Sequence, residues 1–185
     1  MRIISGTYRG LQLRSLKGAD LRPTSDQMRE TLFDVLGPAI VGARFLDMYA
    51  GSGAVGLEAL SRGARDVVMV ESHRSTVELI GRNLEALRTR SGVRVLGCKA
   101  TTGLQRLVAE GVPFDYIFLD PPYAEIREYH HILRQIGRSS LVELGSAVIA
   151  EHSRHVQLEE WYGPLARFRS LRHGDSQLSL YRLAE

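Results

Sequence analysis

Apolar strands and amphipathic helices alternate along most of the sequence beyond residue 44. Short apolar runs predict strands, and stretches with apolar residues at helical spacing separate them. The predicted strands are 45–49, 66–71, 93–97, 116–120 and 146–151, and the predicted helices are 54–62, 73–89, 101–110 and 126–138. This alternation favours an α/β fold, in which a doubly wound, mostly parallel sheet carries helices on both faces.

The two ends of the chain depart from this alternation. Near the C-terminus, residues 166–172 and 177–183 flank the turn His173-Gly174-Asp175-Ser176, which predicts an antiparallel hairpin. Near the N-terminus, residues 3–4 and 11–13 are short strand-like pieces separated by glycine-containing turns. They predict a second, smaller hairpin.

A further helix is predicted between the N-terminal hairpin and the first strand of the sheet. Thr24 and Gln27 fit a capping box, in which side chains at the start of a helix bond to free backbone groups. Apolar residues recur at helical spacing over about 25–36. Gly37-Pro38 then stops the helix.

Composition limits the chain to one ordinary globular domain with an appendage. Of its 185 residues, 44% are hydrophobic and 24% are charged, which supports a core and is too apolar for a disordered chain. The longest apolar stretch, Val35 to Ala43, is about half of a membrane span. The first residues lack a secretory signal, so we expect a cytoplasmic protein. No long apolar surface stripe is evident, which favours a monomer.

Cysteine and histidine give no sign of a disulfide or a metal site. The single cysteine, Cys98, has no partner within the chain and no adjacent histidine to activate it. We therefore interpret it as a small buried apolar residue. The six histidines lack the spacing of zinc ligands, and we predict no bound metal.

Positive charge is concentrated at the N-terminus. The net charge of the whole chain is +3, yet residues 1–22 carry five cationic side chains against one acid. These cations are Arg2, Arg9, Arg14, Lys17 and Arg22. A basic hairpin can contact RNA phosphates, although cations on an edge hairpin can also serve to discourage aggregation. We divide the chain into a basic extension over residues 1–23 and a main domain over residues 24–185.

A glycine-rich loop follows the first predicted strand of the sheet. The strand runs into the motif Gly51-x-Gly53-x-x-Gly56 and then into a helix, and Glu71 ends the next strand 20 residues beyond Gly51. Such glycines allow a sharp turn and a close approach of a ligand, and an acid at this distance can bind ribose hydroxyls. The residues that we predict to contact a cofactor here are Ala50, Gly51, Ser52, Gly53, Glu71 and Ser72.

Asp47, at the end of the first strand of the sheet, separates two classes of cofactor. A carboxylate four residues before Gly51 would repel the pyrophosphate of a dinucleotide. It would attract the cationic amino end of S-adenosylmethionine, directly or through water. Asp47 therefore favours S-adenosylmethionine, although a buried Asp at this place could instead hold the loop. A nicotinamide-dependent Rossmann oxidoreductase is the alternative from another class.

The segment Asp120-Pro121-Pro122-Tyr123 ends the fourth predicted strand of the sheet. Ligands of open parallel sheets bind at the C-terminal ends of the strands, so this segment should face the cofactor loop. An exocyclic base amine is a poor nucleophile until acceptors engage its N–H bonds, and the Asp120 carboxylate and the Pro121 carbonyl can provide two. The prolines stiffen the loop, and Tyr123 can stack on the base. We predict these four residues as the catalytic set, with Asp120 also contacting the cofactor.

Several longer segments share the pattern of one family. They are Arg2-Ile3-Ile4-Ser5-Gly6, Leu21-Arg22-Pro23-Thr24, Arg29-Glu30-Thr31-Leu32-Phe33, Tyr49-Ala50-Gly51-Ser52-Gly53, Gly56-Leu57-Glu58-Ala59-Leu60, Asp120-Pro121-Pro122-Tyr123 and Gly174-Asp175. With these segments the chain resembles the class I S-adenosylmethionine-dependent methyltransferases. More narrowly, it resembles the RsmD family, bacterial methyltransferases of guanine N2 in small-subunit ribosomal RNA.

The resemblance implies a Rossmann-like, seven-stranded sheet with a small N-terminal β-hairpin. It implies methyl transfer to guanine N2 of 16S ribosomal RNA, at guanine 966 in the family, with an assembled or partly assembled 30S particle as the substrate. The implied cofactor contacts are Thr24, Asp47, Gly51, Gly53, Glu71 and Ala100. The basic hairpin would grip RNA phosphates, and residues 120–123 would capture the base.

One residue departs from the family pattern beside the predicted adenine site. Backbone contacts to adenine are expected from Cys98-Lys99-Ala100, which follows the third strand. Relatives often carry Asp or Asn where this chain has Lys99. Because lysine has no acceptor, its side chain cannot accept a hydrogen bond from the adenine amine.

Other functions remain open on the residues alone. An enzyme that methylates adenine N6 in nucleic acid, or a glutamine side chain, would present an NH₂ group to the same kind of loop. A noncatalytic RNA-binding or assembly factor with a cofactor fold is a further class, for which the segment Asp120-Pro121-Pro122-Tyr123 would have no explanation.

Overall fold

One twisted sheet of eight strands organises the described part of the chain. The fold is that of a computed structural model, which describes residues 1–15, 25–89, 91–122 and 126–184. The strands are β1 (Arg44–Asp47), β2 (Asp66–Glu71), β3 (Val93–Gly97), β4 (Tyr116–Leu119), β5 (Ala147–Ser153), β6 (Trp161–Tyr162), β7 (Leu165–His173) and β8 (Ser176–Leu183). Their order across the sheet is β3-β2-β1-β4-β5-β8-β7-β6.

The pairing confirms the predicted α/β architecture. Strands β1 to β5 run parallel, and β8, β7 and β6 add to the sheet in antiparallel fashion. The sheet has eight strands where seven were expected, because the two-residue strand β6 pairs with the start of β7. A two-residue strand is too short to produce an apolar alternation that sequence patterns can detect.

The described residues form five α-helices, close to their predicted limits. They are α1 (Asp26–Leu36), α2 (Ala54–Ser61), α3 (Arg74–Leu87), α4 (Ala100–Glu110) and α5 (Ile126–Gly137), and a short 3₁₀ turn (Gly37–Ile40) follows α1. Ser25, rather than Thr24, is the N-cap of α1, and its hydroxyl accepts a hydrogen bond of 3.1 Å from Met28 N. The predicted capping residue was therefore wrong by one position, and Thr24 lies outside the described residues. Gly37 ends α1 with φ of 61°, as the Gly-Pro pair predicted.

The helices pack on both faces of the sheet, and each face has its own cluster of buried apolar residues. Leu32 of α1, Leu57 of α2 and Ile80 of α3 belong to one buried cluster. Leu104 of α4 and Leu133 of α5 belong to the other. Residues that alternate along the central strands supply both clusters, as expected for a sheet with helices on both faces. Among the described residues, no helix is both long and apolar enough to cross a membrane.

The N-terminal segment, residues 1–15, folds back on itself and packs against the first of these clusters. Its two arms meet in a single antiparallel bridge between Arg2 and Gln12, so the predicted hairpin is short. Ile3 and Leu13 are buried in the same cluster as α1, α2 and α3. The turn lies so close to α2 that a Cβ on Gly6 would be 1.8 Å from the carbonyl oxygen of Ser61. Only glycine fits there, which fixes the segment on this helix.

Candidate functional site

Three carboxylates from three adjacent strands meet at one edge of the sheet. Asp47 ends the central strand β1, where it is level with Met69 of β2 on one side and Phe118 of β4 on the other. Glu71 and Asp120 each lie two residues beyond those partners. The sequence predicted all three residues as parts of one site, and the parallel register brings them to the same edge.

Glu71 holds the glycine loop in place. One of its carboxylate oxygens accepts a hydrogen bond of 2.9 Å from Gly51 N, and the other accepts one of 2.8 Å from His73 N. The His73 ring also lies 3.2 Å from this second oxygen. The oxygen that accepts from Gly51 N has a further lone pair, so Glu71 can order the loop and still accept a hydrogen bond from a ribose hydroxyl.

The glycines of the loop have different structural reasons. Gly51 and Gly53 have φ of 52° and 81°, a region that favours glycine. Around Gly51 a Cβ would meet no atom within 4 Å, so this backbone faces open space. A Cβ on Gly56 would lie 2.8 Å from the Met69 side chain, so the third glycine lets α2 pack on β2. The first part of the motif is therefore accessible to a ligand, and the last part serves packing.

Asp47 is buried beneath the loop, and its two carboxylate oxygens differ in their hydrogen bonds. Its Oδ2 accepts a hydrogen bond of 3.1 Å from Gly56 N in the first turn of α2. Its Oδ1 has no hydrogen-bond partner among the described residues. Burial raises the pKa of Asp47 to about 7; the backbone hydrogen bond from Gly56 opposes this shift, the nearby Glu71 carboxylate adds to it, and a backbone hydrogen bond from Tyr49 opposes it. A buried, half-satisfied carboxylate at this place fits the amino group of S-adenosylmethionine.

The remaining predicted cofactor residues surround the same strand ends. Ala50 is buried, and its N–H donates to the carbonyl of Val70 in β2. Ser72 follows Glu71 and is exposed. Ala100 begins α4 after β3, with Lys99 exposed before it. Cys98 is half-buried rather than fully buried, with its thiol free.

The predicted catalytic segment leaves β4 next to this loop. Asp120 is half-buried, Pro121 is buried and Pro122 is exposed, whereas Tyr123 lies outside the described residues. The hydroxyl of Tyr129 lies 3.3 Å from the Pro121 carbonyl oxygen and donates to the Glu151 carbonyl at 2.7 Å. Tyr129 on α5 therefore ties the proline loop to the end of β5.

The predicted RNA-binding cations are only partly within the described residues. Arg2, Arg9 and Arg14 belong to the N-terminal segment and are exposed. Lys17 and Arg22 lie outside the described residues. The three exposed arginines are on a segment that packs against α2, the helix that begins at the glycine loop.

Three polar or aromatic side chains near the site were missed by the sequence reasoning. Glu58 of α2 is buried and accepts hydrogen bonds from Ile4 N and Ser5 N. Asn83 of α3 is buried between the N-terminal segment and the glycine loop. Tyr129 anchors the proline loop. Each reads in the sequence as an ordinary helix residue; a polar side chain on the apolar stripe of a helix is the signal that could have pointed to Glu58 and Asn83.

The sequence of the chain is similar to those of bacterial proteins that are named as ribosomal RNA methyltransferases. A family model described as conserved hypothetical protein 95 matches residues 1–182. A Bacillus subtilis protein provisionally named as the rRNA methyltransferase YlbH is 34% identical over 182 residues, which cover 98% of each chain. The Escherichia coli protein named ribosomal RNA small subunit methyltransferase D is 42% identical over 123 residues, which cover 66% of this chain and 60% of that protein.

A solved structure agrees with this likeness in both sequence and fold. The Escherichia coli protein yhhF, provisionally named a methyltransferase, superimposes with a TM-score of 0.86 at 30% identity. The superposition covers 99% of this chain and 97% of the other. The likeness therefore includes the N-terminal segment and the antiparallel end of the sheet.

Proposed function

The chain belongs to the conserved hypothetical protein 95 family, which is the RsmD family, and from that membership we propose that it methylates a guanine N2 amine in 16S ribosomal RNA. The family is one of S-adenosylmethionine-dependent ribosomal RNA methyltransferases. The proposal includes the family target, guanine 966, and a small subunit that is assembled or partly assembled.

The observation that carries the proposal is the arrangement of the three carboxylates. Asp47 and Glu71 lie at the glycine loop, with their hydrogen bonds directed to loop and helix backbone. Asp120 follows the end of β4, on the other side of β1, and leads into two prolines. Asp47 and Glu71 can therefore hold the cofactor while Asp120 faces the amine that accepts the methyl group.

The loop favours S-adenosylmethionine over a dinucleotide. The pyrophosphate of a dinucleotide binds to free N–H groups in the first turn of the helix. Here the Asp47 carboxylate already occupies the N–H of Gly56 in that turn. A phosphate would therefore meet a buried acid, whereas a cationic amino group would be stabilised by it. This contact argues against the nicotinamide-dependent oxidoreductase.

The chemistry requires the chain to hold an amine in line with a methyl donor. When bound by Asp47, Glu71 and the glycine loop, S-adenosylmethionine would supply a methyl group on a cationic sulfur. The amine lone pair would attack the methyl carbon, so that the N–C bond forms as the S–C bond breaks and neutral S-adenosylhomocysteine leaves. The methylated nitrogen would then lose the proton of the N–H that Asp120 accepts. The Asp120 carboxylate accepts one N–H of the amine and stabilises the positive charge that builds on the nitrogen. The Pro121 carbonyl has a second lone pair beyond its contact with Tyr129, and it accepts the other N–H. Tyr123 stacks on the base.

RNA is the partner that suits the exposed arginines of the N-terminal segment. Arg2, Arg9 and Arg14 are exposed, so each can neutralise a phosphate. Lys17 and Arg22 add to this charge. Binding through phosphates would make the affinity for RNA fall steeply with salt.

Transfer of a labelled methyl group tests the proposal. Purified protein, radioactive S-adenosylmethionine and small ribosomal subunits from cells that lack this protein should give labelled 16S ribosomal RNA. Naked RNA from the same subunits identifies the form of the substrate. A protein that binds the cofactor but labels neither preparation would overturn the proposal, and label on adenine would favour the adenine-N6 alternative.

A further inference from the structure

The side-chain amide of Asn83 joins the N-terminal segment to the glycine loop. Its Oδ1 accepts a hydrogen bond of 2.8 Å from Arg14 N, and its Nδ2 donates to the Arg14 carbonyl at 3.2 Å. The second N–H of the same nitrogen donates to the Ser52 carbonyl at 3.0 Å. Asn83 is fully buried, so both of its N–H groups and its oxygen are engaged away from water.

Both ends of the N-terminal segment reach the same loop residue. Arg14 reaches Ser52 through Asn83, and the sulfur of Met1 lies 3.8 Å from the Ser52 hydroxyl. Between these ends, the Glu58 carboxylate accepts the N–H groups of Ile4 and Ser5. The segment is therefore fastened to α2, α3 and the loop between Gly51 and Gly53.

The two sides of this junction face different ligands. The Arg14 backbone is held by Asn83, while its guanidinium is exposed and can bind phosphate. The Ser52 carbonyl belongs to the loop whose backbone faces open space at Gly51. A shift of the segment on binding RNA would therefore be transmitted to the cofactor loop through Asn83, in addition to the contact of Met1 with the Ser52 hydroxyl.

We propose that Asn83 is a positioning residue that couples RNA binding to cofactor binding. Because Asn83 bonds the Arg14 backbone and the Ser52 carbonyl at once, a phosphate that immobilises the segment also immobilises the loop. Each ligand should therefore bind more tightly in the presence of the other. Coupling between sites is reciprocal and typically amounts to about fivefold or more in affinity. The inference rests on the proposed function, because it takes RNA as the ligand of the segment.

Affinity for S-adenosylhomocysteine, measured by calorimetry with and without 16S ribosomal RNA, tests this coupling. In the wild type, the RNA should tighten binding about fivefold or more. Asn83→Asp keeps the acceptor for Arg14 N but turns both donors into an oxygen that faces two carbonyls. It should weaken binding of S-adenosylhomocysteine in the absence of RNA, and the RNA should no longer tighten it.

Three further variants separate coupling from a structural role. Ser61→Ala removes another anchor of the segment, the hydroxyl that accepts Tyr8 N and donates to the Ser5 carbonyl, but it does not touch the glycine loop. It should retain the coupling. Arg14→Pro removes the guanidinium and the N–H that Asn83 accepts, so its matched control is Arg14→Ala, which removes the guanidinium and keeps the N–H. Both should bind the cofactor like the wild type without RNA, but at saturating RNA only Arg14→Pro should lose the coupling. The same coupling in both would overturn the inference. Because this position is exposed, Arg14→Pro serves even if Asn83→Asp fails to fold.

The outcomes distinguish the inference from the proposed function. If the wild type methylates the RNA but Asn83→Asp and Arg14→Pro show its full coupling, the inference is wrong and the proposed function stands. If all four variants lose the coupling equally, Asn83 has no special role and the inference is also wrong. If the wild type neither binds nor methylates the RNA, both fail.

A second and independent observation concerns the ribbon formed by β7 and β8. Residues 165–184 contain four arginines and one acid, a bias that matches the N-terminal segment. Irregular pairing between Arg167 and Arg169 places Phe168 in a bulge, where it is 45% exposed. The Arg182 guanidinium lies 5.2 Å above the Phe168 ring. Exposed aromatic and guanidinium planes beside cations are the features that bind single-stranded RNA.

The register of the sheet brings this ribbon to the side of the proposed catalytic segment. Leu119, which precedes Asp120, is level with Ala150 of β5, which pairs with Ser179 of β8 and so with Ser170 of β7. Three strand spacings, roughly 14 Å, separate Leu119 from Ser170, and Phe168 lies two residues before Ser170 on β7. We propose that the β7–β8 ribbon is a second RNA contact, for nucleotides that flank the methylated base; this also rests on the proposed function.

A matched pair of double variants tests the ribbon. Phe168→Ala with Arg169→Glu should weaken RNA binding about tenfold and lower its salt dependence, with no change in S-adenosylhomocysteine affinity. Arg106→Glu with Val112→Ala likewise reverses one exposed cation and truncates one exposed apolar side chain, in and after α4, and it should bind RNA like the wild type. Equal RNA affinity of the two double variants would overturn the ribbon proposal, whether both bind RNA like the wild type or both bind it more weakly.

Discussion

The cofactor side and the transfer side of the sheet edge are built differently. On the cofactor side, Asp47 and Glu71 accept hydrogen bonds from the backbone of the loop and helix that they support. On the transfer side, two prolines set the chain direction after Asp120, and the loop is anchored through Tyr129 from α5. The first side is organised by buried charge and the second by backbone stiffness. Binding and transfer should therefore be separable by mutation.

Removal of the Asp120 carboxylate should give the largest effect on transfer. We expect Asp120→Ala to lower kcat about a hundredfold or more, the size of effect seen when a transition-state stabiliser is lost. Binding of S-adenosylhomocysteine, measured by calorimetry, should change only a few-fold, because Asp47 and Glu71 remain. Near-normal turnover would remove Asp120 from the catalytic set.

Loss of Glu71 should have the opposite signature. Glu71→Ala takes the acceptor from Gly51 N and His73 N. It also removes the acceptor for a ribose hydroxyl of the cofactor. A hydrogen bond to a charged group is worth about 1.5–3 kcal/mol, so cofactor affinity should fall by about ten- to a hundredfold. At saturating cofactor, kcat should stay within a few-fold of the wild type. A variant that lost kcat and kept its cofactor affinity would contradict the division between the two sides.

Asp47 should make cofactor binding depend on pH. Its pKa in the free protein is raised to about 7, and a cationic amino group stabilises the ionised form. Binding should therefore strengthen as the pH rises to about 7 and then level off, with about a tenfold loss one unit below. Calorimetry on Asp47→Asn from pH 6 to 8 should give a flat profile. The same slope in both proteins would show that another group titrates.

Asp47 also affects folding in a direction that can be checked. Its pKa is higher in the folded protein than the ordinary value of 3.8, so the folded state binds the extra proton. The contribution of Asp47 to the free energy of unfolding is therefore greatest below about pH 4 and decreases as the pH rises to 7. Asp47→Asn should remove this decrease in urea unfolding. An unchanged pH dependence would contradict the buried state of the acid.

The Tyr129 hydroxyl should give the smallest effect of the set. Tyr129→Phe keeps the buried ring and removes one hydrogen-bond donor, worth about 1 kcal/mol. We expect kcat to fall about fivefold through a less fixed Pro121 carbonyl, with no change in cofactor affinity. A matched change elsewhere, Tyr181→Phe, removes a hydroxyl that donates to the Glu159 carbonyl and should leave kcat unaltered. Equal effects of the two variants would assign both to general stability.

Most of the sheet and the residues at its carboxyl edge could be predicted from the sequence, but few of the contacts that hold them in place could. Strands β2 and β3 match their predicted limits because their apolar runs are clear. Asp47, Glu71 and Asp120 could be placed together because parallel strands deliver their ends to one edge. The contacts of Asn83 could not be predicted, since they join elements far apart in sequence. Tyr129 resembles any core aromatic, and β6 is too short to leave a pattern.

The N-terminal segment was predicted only in part for the same reason. Its charge could be counted, but its attachment depends on distant partners on α2 and α3, such as Glu58 and Asn83. Those contacts support a structural role for the segment, and its exposed arginines support a role in RNA binding. Charge reversal of Arg9 and Arg14 should weaken RNA binding and reduce its salt dependence while cofactor binding is kept. Equal loss of both would show that the segment is structural.

The most direct test of the proposed reaction is mass analysis of the nucleosides in treated RNA. Small subunits from cells that lack this protein are incubated with S-adenosylmethionine and either the wild type or Asp120→Ala, and their 16S ribosomal RNA is digested to nucleosides. We predict N2-methylguanosine with the wild type and none above background with the variant. A methyl group on adenine, or no new methylated nucleoside at all, would contradict the proposal.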